Sequence, residues 1–186
     1  MVSWMFAAES ARVPFGVPIG PLGETHRVFC VARSPLAAVP SIIGENRVKK
    51  SYRFRRNHLR RILGHDILPE EIVDPLFCAV TSYVYWFELC LSHNPSVIFR
   101  VDRESDDQQL GDFVGRKIVR SDDIYRNSRP RRKRKLTFEP ADLCGLPNDL
   151  LVRFAVIATK LGYAEDALQV ATLLETVSAQ GPLEHT

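Results

Sequence analysis

Short apolar runs and helical stripes of apolar residues divide the chain into predicted strands and helices. The valine-rich run at 28–32 is bounded by charged and turn-forming residues and ends directly before Arg33. An uninterrupted apolar run of this length is typical of a strand buried on both faces, as in a parallel sheet. Pro35 suits the first turn of a helix, where its missing N–H has no intrahelical partner, so residues 36–44 are predicted to be helical.

A basic segment and a long apolar stripe follow. Residues 47–63 place basic side chains near one another at helical spacing and apolar side chains on a different face, which predicts a basic amphipathic helix. The basic residues are Lys49, Arg53, Arg56 and Arg60, and the apolar ones are Tyr52, Leu59 and Leu63. Between residues 69 and 92, apolar positions recur in steps of three and four. They predict a long helix that restarts at Asp74-Pro75, because a proline inside a helix breaks it.

The second half of the chain contains one more strand signal and two helix signals. Residues 96–102 are predicted to form a strand, and the charge-dense residues 103–135 a surface loop with a short helix at most. An apolar helical face at 151–161 is closed by Gly162 in the position of a C-terminal cap, and residues 164–178 are predicted to form the last helix.

The order of strands and helices predicts one α/β domain at 1–178 and a tail at 179–186. A chain of 186 residues, 45% hydrophobic and 25% charged, is long enough for one such domain. Its net charge of +3 suits an anionic ligand without requiring nucleic acid. Four widely spaced cysteines without a CxxC pair favour buried reduced thiols over a disulfide or metal site. No secretory leader or membrane-spanning run is recognisable, so a cytoplasmic protein is expected.

Arg33 lies between the predicted strand and the predicted helix, a place suited to holding an anion. The first N–H groups of a helix lack intrahelical partners, the helix dipole favours negative charge there, and arginine donates two hydrogen bonds to a phosphate. Ser41 lies about two turns further along and reaches the same anion only if the helix starts late or bends, or if the loop folds back. The alternative is an arginine at a strand end that pairs with a surface carboxylate.

These residues resemble the 3′-phosphate-binding segment of the sulfotransferases that use 3′-phosphoadenosine 5′-phosphosulfate. In that family a strand ends in arginine, followed by x-Pro-Leu, an apolar stretch and a serine eight residues after the arginine; this chain has "VARSPLAAVPS". Resemblance to bacterial members extends, in order, to "VSWMFAAESARVPFG", "TSYVYWFELCLSHNPSVIFRVD", and "KLTFEPADL" with "IATKLGY". It implies a P-loop-like parallel-sheet domain with a helix-rich C-terminal half, sulfuryl transfer to an unidentified hydroxyl or amine acceptor, and binding of the 3′-phosphate by Arg33 and Ser41.

One part of the family pattern is missing. Family members grip the 5′-phosphosulfate with a P-loop-like turn near the N-terminus, whereas the candidate "GVPIGPLGE" lacks Lys-Ser/Thr, and its prolines remove N–H donors. His26 is expected to be a surface histidine and not a catalytic base. We therefore expect an N-terminally truncated family member without the first βα unit, inactive or impaired as it stands. The alternative is a degenerate member that binds the nucleotide weakly.

Two basic stretches support a different class of function. Residues 47–61 and 129–135 would suit a small basic protein that binds an acidic partner or nucleic acid. Aromatic residues are not interleaved with the late stretch "RPRRKRK", so a solvated charged face is the default for it, although basic residues within 126–135 would close over the nucleotide in the sulfotransferase interpretation. A third alternative is a fragment that does not fold stably, because a missing strand exposes a sheet edge.

Overall fold

A computed structural model of the protein describes residues 29–119 and 138–179. Within these ranges the sheet consists of two short parallel strands. Strand β1 (Phe29–Ala32) pairs with strand β2 (Val97–Arg100), and Ala32 lies opposite Arg100. Both predicted strands are confirmed, each with four residues.

Strand β1 is buried on one face only. Cys30 and Ala32 are buried, whereas the side chains of Phe29 and Val31 are 42% and 43% exposed. The prediction of a strand buried on both faces is wrong, because the hydrophobic core lies on the side of Cys30 and Ala32.

Two helices follow β1. Helix α1 (Pro35–Asn46) begins one residue before its predicted start, ends two residues after its predicted end, and contains Pro40. Helix α2 (Lys49–Leu63) buries Tyr52 and leaves the side chains of Lys49 and Arg53 exposed, as its amphipathic pattern predicts.

Helix α3 (Pro75–Ser92) forms the centre of the molecule. The carboxylate of Asp74 caps its N-terminus by accepting hydrogen bonds from the N–H groups of Leu76 at 2.8 Å and Phe77 at 3.0 Å. The predicted helix boundary at Asp74-Pro75 is confirmed, but residues 69–74 are not helical, so the predicted helical part before Pro75 is wrong. Helix α3 packs against α1 on one side and against helix α5 (Asn148–Lys160) on another, and most of its residues are buried.

The remaining elements follow β2 along the chain. Helix α4 (Asp106–Val114) follows β2, and a 3₁₀ turn (Pro140–Leu143) precedes α5. Helix α6 (Ala164–Ala179) packs along α5 after a turn at Gly162. Gly162 has a φ of 83°, the left-handed conformation expected of a glycine that ends a helix.

The α/β class is confirmed, and the described chain is mostly helical. One connected hydrophobic core joins the buried face of the strands to α3, α5 and α6. All four cysteines are free, but Cys144 is exposed, so the prediction of four buried thiols is wrong for that residue. No helix in the described part of the chain is long and apolar enough to cross a bilayer.

Candidate functional site

The carboxyl ends of the two strands lie at the same edge of the sheet. Because β1 and β2 are parallel, the residues after Ala32 and those after Arg100 leave the sheet side by side, and the N–H of Val101 donates to the carbonyl of Ala32 at 2.9 Å. In open α/β sheets, ligands bind beyond this edge of the strands. The segments that start there are Arg33-Ser34 and Val101-Asp102.

Arg33 combines a fixed backbone with an open side chain. The hydroxyl of Tyr83, on α3, donates to the carbonyl of Arg33 at 3.1 Å. Burial raises the pKa of the Tyr83 phenol, so this group remains a donor. The Arg33 side chain is exposed, and within the described ranges its guanidinium has no hydrogen-bond or ion-pair partner. A cation is therefore available to an anionic ligand at the strand edge.

The N-terminus of α1 already contacts a carboxylate of the protein itself. Asp166, in the first turn of α6, accepts hydrogen bonds from the hydroxyl of Ser34 at 2.7 Å and from the N–H of Leu36 at 3.1 Å. The oxygen of that hydroxyl in turn accepts from the N–H of Ala37 at 3.3 Å. Asp166 thus supplies the negative charge that the helix dipole favours.

Ser34 and Asp166 belong to a cluster of hydrogen-bonded side chains at the start of α1, and a second carboxylate, that of Asp102, is part of it. Asp102 accepts hydrogen bonds from the N–H of Ser34 at 2.9 Å and from the hydroxyl of Tyr163 at 2.6 Å. Burial and the hydrogen bond to Asp102 raise the pKa of the Tyr163 phenol well above its usual range, so the phenol stays protonated. The guanidinium of Arg103 lies 5.1 Å above the Tyr163 ring and donates to the carbonyl of Gly162 at 2.9 Å. The cluster therefore connects β1, β2 and the turn before α6.

Arg100, the last residue of β2, is bound to Asp106. Its Nε and Nη2 donate to the two carboxylate oxygens at 2.6 and 2.8 Å, and its backbone N–H donates to the same carboxylate at 2.9 Å. The side-chain hydrogen bond from Arg100 lowers the pKa of Asp106, which is only 3% exposed. Because this two-pronged ion pair attaches the Arg100 side chain to Asp106, Arg33 is the more accessible of the two arginines at the carboxyl edge of the sheet.

Ser41 lies on α1, seven residues after Ser34 and about two turns along the helix. Its side chain is half-buried. Helix α1 starts directly at Pro35, so a late start does not bring Ser41 towards Arg33. Pro40 immediately precedes Ser41 inside the helix, and a proline at such a position removes one backbone hydrogen bond and bends the helix.

The residues that sequence reasoning missed are those that complete the cluster with Arg33. They are Ser34, Asp102, Tyr163 and Asp166. The Ser34-Pro35 pair was a readable signal, because serine before a proline at the first helical position is typical of a helix N-terminus. Asp102 is the last residue of the strand predicted at 96–102, and the carboxyl end of a strand is the usual place for a polar residue of a site at such an edge.

Of the other segments with predicted functions, one lies within the described residues and two lie outside them. The basic stretch at 47–61 begins directly after the end of α1 and covers most of α2. His26 and the basic stretch at 129–135 lie outside the described residues. The predicted roles of both stay predictions.

Comparison of the chain with protein-family models, with curated proteins and with solved structures found no match. The sulfotransferase resemblance therefore rests on the sequence motifs around Arg33 and along the chain.

Proposed function

We propose that the protein is a sulfotransferase-like, nucleotide-binding protein with a P-loop-like sheet fold. Arg33 and Ser41 hold the 3′-phosphate of 3′-phosphoadenosine 5′-phosphosulfate, the donor of a sulfuryl group to a hydroxyl or amine acceptor. The observation that carries the proposal is the exposed guanidinium of Arg33, which has no partner among the described residues and lies at the common carboxyl edge of two parallel strands.

In this proposal the phosphate is held by side chains and not by the first backbone N–H groups of α1. The N–H groups of Leu36 and Ala37 already donate to Asp166 and Ser34. Asp102 and Asp166 are also close to this helix end, and their negative charges oppose a phosphate. The positive charge of Arg33 therefore decides whether the phosphate binds.

Sulfuryl transfer, like phosphoryl transfer, depends mainly on positioning the donor and on stabilising the charge on the transferred oxygens. Arg33 and Ser41 contribute to positioning, because they contact the 3′-phosphate and not the sulfuryl group.

Isothermal titration with adenosine 3′,5′-bisphosphate tests the proposal. Arg33→Ala is expected to weaken binding about 10- to 100-fold, because a charge-assisted hydrogen bond contributes about 1.5–3 kcal/mol. Ser41→Ala, which removes a neutral hydroxyl, is expected to weaken binding less, by about 2- to 10-fold.

The matched control is Arg47→Ala, which removes another exposed arginine at the opposite end of α1 and should leave the affinity unchanged. A second control replaces the ligand by adenosine 5′-monophosphate, which lacks the 3′-phosphate and should bind wild type and Arg33→Ala equally. Equal affinity of both proteins for the bisphosphate would refute the proposed contact.

A further inference from the structure

The outward surface of α2 is strongly basic. The helix contains seven lysines and arginines and no carboxylate. The side chains of Lys49, Lys50 and Arg53 are exposed, as is Arg47 just before the helix. Within the described ranges none of these four forms an ion pair. Their charges are therefore available to a polyanion.

The arginines on the inner side of α2 have a different role. Arg55 is buried and donates to the carboxylate of Glu45 at 2.9 Å and to the side-chain oxygen of Asn46. Arg56 pairs with Asp66 at 3.1 Å. Asp66 also lies 3.9 Å from Nε of the exposed Arg60. Within the described ranges the nearby carboxylates thus pair with Arg55, Arg56 and Arg60 and leave Lys49, Lys50 and Arg53 without an ion pair.

An exposed aromatic ring lies within this basic surface. Phe54 is 44% exposed. Its ring contacts that of His58, with 4.2 Å between the centroids and 34° between the planes. On a helix, residues three and four positions apart are neighbours, so Lys50 and Asn57 flank Phe54 along the helix, and Arg53 is adjacent. The surface therefore combines positive charges that suit phosphates with the exposed Phe54 ring, which packs against His58.

The orientation of α2 argues against insertion into a bilayer. Interfacial helices bury their apolar face among lipid chains. Apart from the half-exposed Phe54, the large apolar residues of α2 pack in the protein core, with Tyr52, Leu59 and Ile62 buried, so the helix has no continuous apolar face available to lipid.

We propose that this surface of α2 binds single-stranded nucleic acid. Lys49, Lys50 and Arg53 contact successive phosphates, and a base stacks on the exposed side of the Phe54 ring. A single strand is favoured over a duplex, because the bases of a duplex are stacked on one another and do not present a free face to an aromatic side chain. This site is independent of the proposed nucleotide site at the strand edge.

Fluorescence anisotropy with labelled 15-nucleotide oligouridylate and oligothymidylate, measured from 50 to 200 mM salt, tests the inference on the full chain. Phe54→Leu is expected to weaken binding about 5- to 100-fold without changing the salt dependence, because base stacking on an aromatic ring contributes about 1–3 kcal/mol. Phe29→Leu is the matched control: it removes a ring of similar exposure, 42%, from β1 and should bind like wild type.

Charge is tested separately with the double variant Lys50→Gln/Arg53→Gln. Its salt slope is expected to fall by about 1.4, or about 0.7 for each phosphate that the variant no longer neutralises. The control Arg116→Gln/Lys117→Gln removes two exposed charges after α4 and should keep the wild-type slope.

Phe54→Tyr keeps the ring and should restore the affinity that Phe54→Leu loses, which separates a binding defect from a folding defect. The inference is overturned if Phe54→Leu binds as tightly as wild type, or if a 15-base-pair duplex binds as tightly as the single strands. Tighter binding to phosphatidylserine vesicles than to the oligonucleotides would also overturn it, in favour of a membrane surface.

Discussion

At the scale of single residues, Gly162 has the most restricted position near the strand edge. Its φ of 83° is unfavourable for any residue with a Cβ. A Cβ there would also overlap Nη1 of Arg100, whose other nitrogens are bound to Asp106. The left-handed backbone and the lack of room for a Cβ beside Arg100 therefore both favour glycine at position 162.

Gly162→Ala is expected to destabilise the protein by about 2–4 kcal/mol, measured by urea unfolding. About 1–2 kcal/mol comes from the left-handed backbone, and the remainder from displacing Arg100. The control is Gly64→Ala, because Gly64 has the same φ of 83° but open space at its Cβ position. Equal losses in the two variants would show that the contact with Arg100 contributes nothing.

Some single-residue features were predictable from local sequence and others were not. Gly162 as a helix end and Arg33 at a strand end follow from their immediate neighbours. The hydrogen bonds from Ser34 to Asp102 and to Asp166 join residues 68 and 132 positions apart. No local pattern determines such pairs, since they depend on how β2 and α6 are placed in the fold.

At the scale of elements, the Arg100–Asp106 pair attaches α4 to the end of β2. The hydrogen bond from Arg100 keeps the pKa of Asp106 below its usual value of about 3.9. A carboxyl group with a lowered folded-state pKa stabilises the protein fully above the unfolded-state pKa. That contribution is lost as the pH falls through the folded-state value.

Asp106→Asn is therefore expected to reduce the free energy of unfolding by about 1–3 kcal/mol at pH 7. The difference from wild type should shrink as the pH falls below about 4, because the Asp106 carboxyl is protonated first in the unfolded state and, at a lower pH, in the folded state as well. Urea unfolding followed by circular dichroism between pH 7 and about pH 3 measures this difference. A difference that stays constant over the whole range would contradict the assigned ionic role of Asp106.

The helices were more predictable than the environment of the strands. Periodic apolar positions and the capping residues Asp74 and Gly162 indicated where α3 begins and α5 ends. The run at 28–32 was apolar at every position, so the sequence alone did not show that Phe29 and Val31 face away from the core. Burial of a strand face depends on what packs against it, which local sequence does not specify.

At the scale of the whole molecule, Asp166 connects α6 to the start of α1. Its carboxylate accepts from Ser34 and Leu36, residues 132 and 130 positions away. Closing a long loop costs conformational entropy, so contacts of this separation form late in folding, whereas the neighbouring helices α5 and α6 pack locally.

Asp166→Ala is expected to increase the unfolding rate about 10-fold and to change the folding rate less than about 2-fold, because an interaction absent from the transition state affects mainly unfolding. Stopped-flow mixing with urea measures both rates. Glu165→Ala is the control, since Glu165 is an exposed acidic residue in the same first turn of α6 and should change neither rate appreciably. A fall in the folding rate with little change in the unfolding rate would instead show that this contact forms early.

The contact of Asp166 with Ser34 and Leu36 also affects the order in which the chain folds during its synthesis on the ribosome. Helix α1 is synthesised long before Asp166, and at about 5–20 residues per second the interval is on the order of 10 s. During that time the N–H of Leu36 and the hydroxyl of Ser34 have no carboxylate from α6 to bind. A nascent chain therefore presents this helix N-terminus to water or to solution anions, and α6 removes it from solvent only when synthesis has passed residue 166.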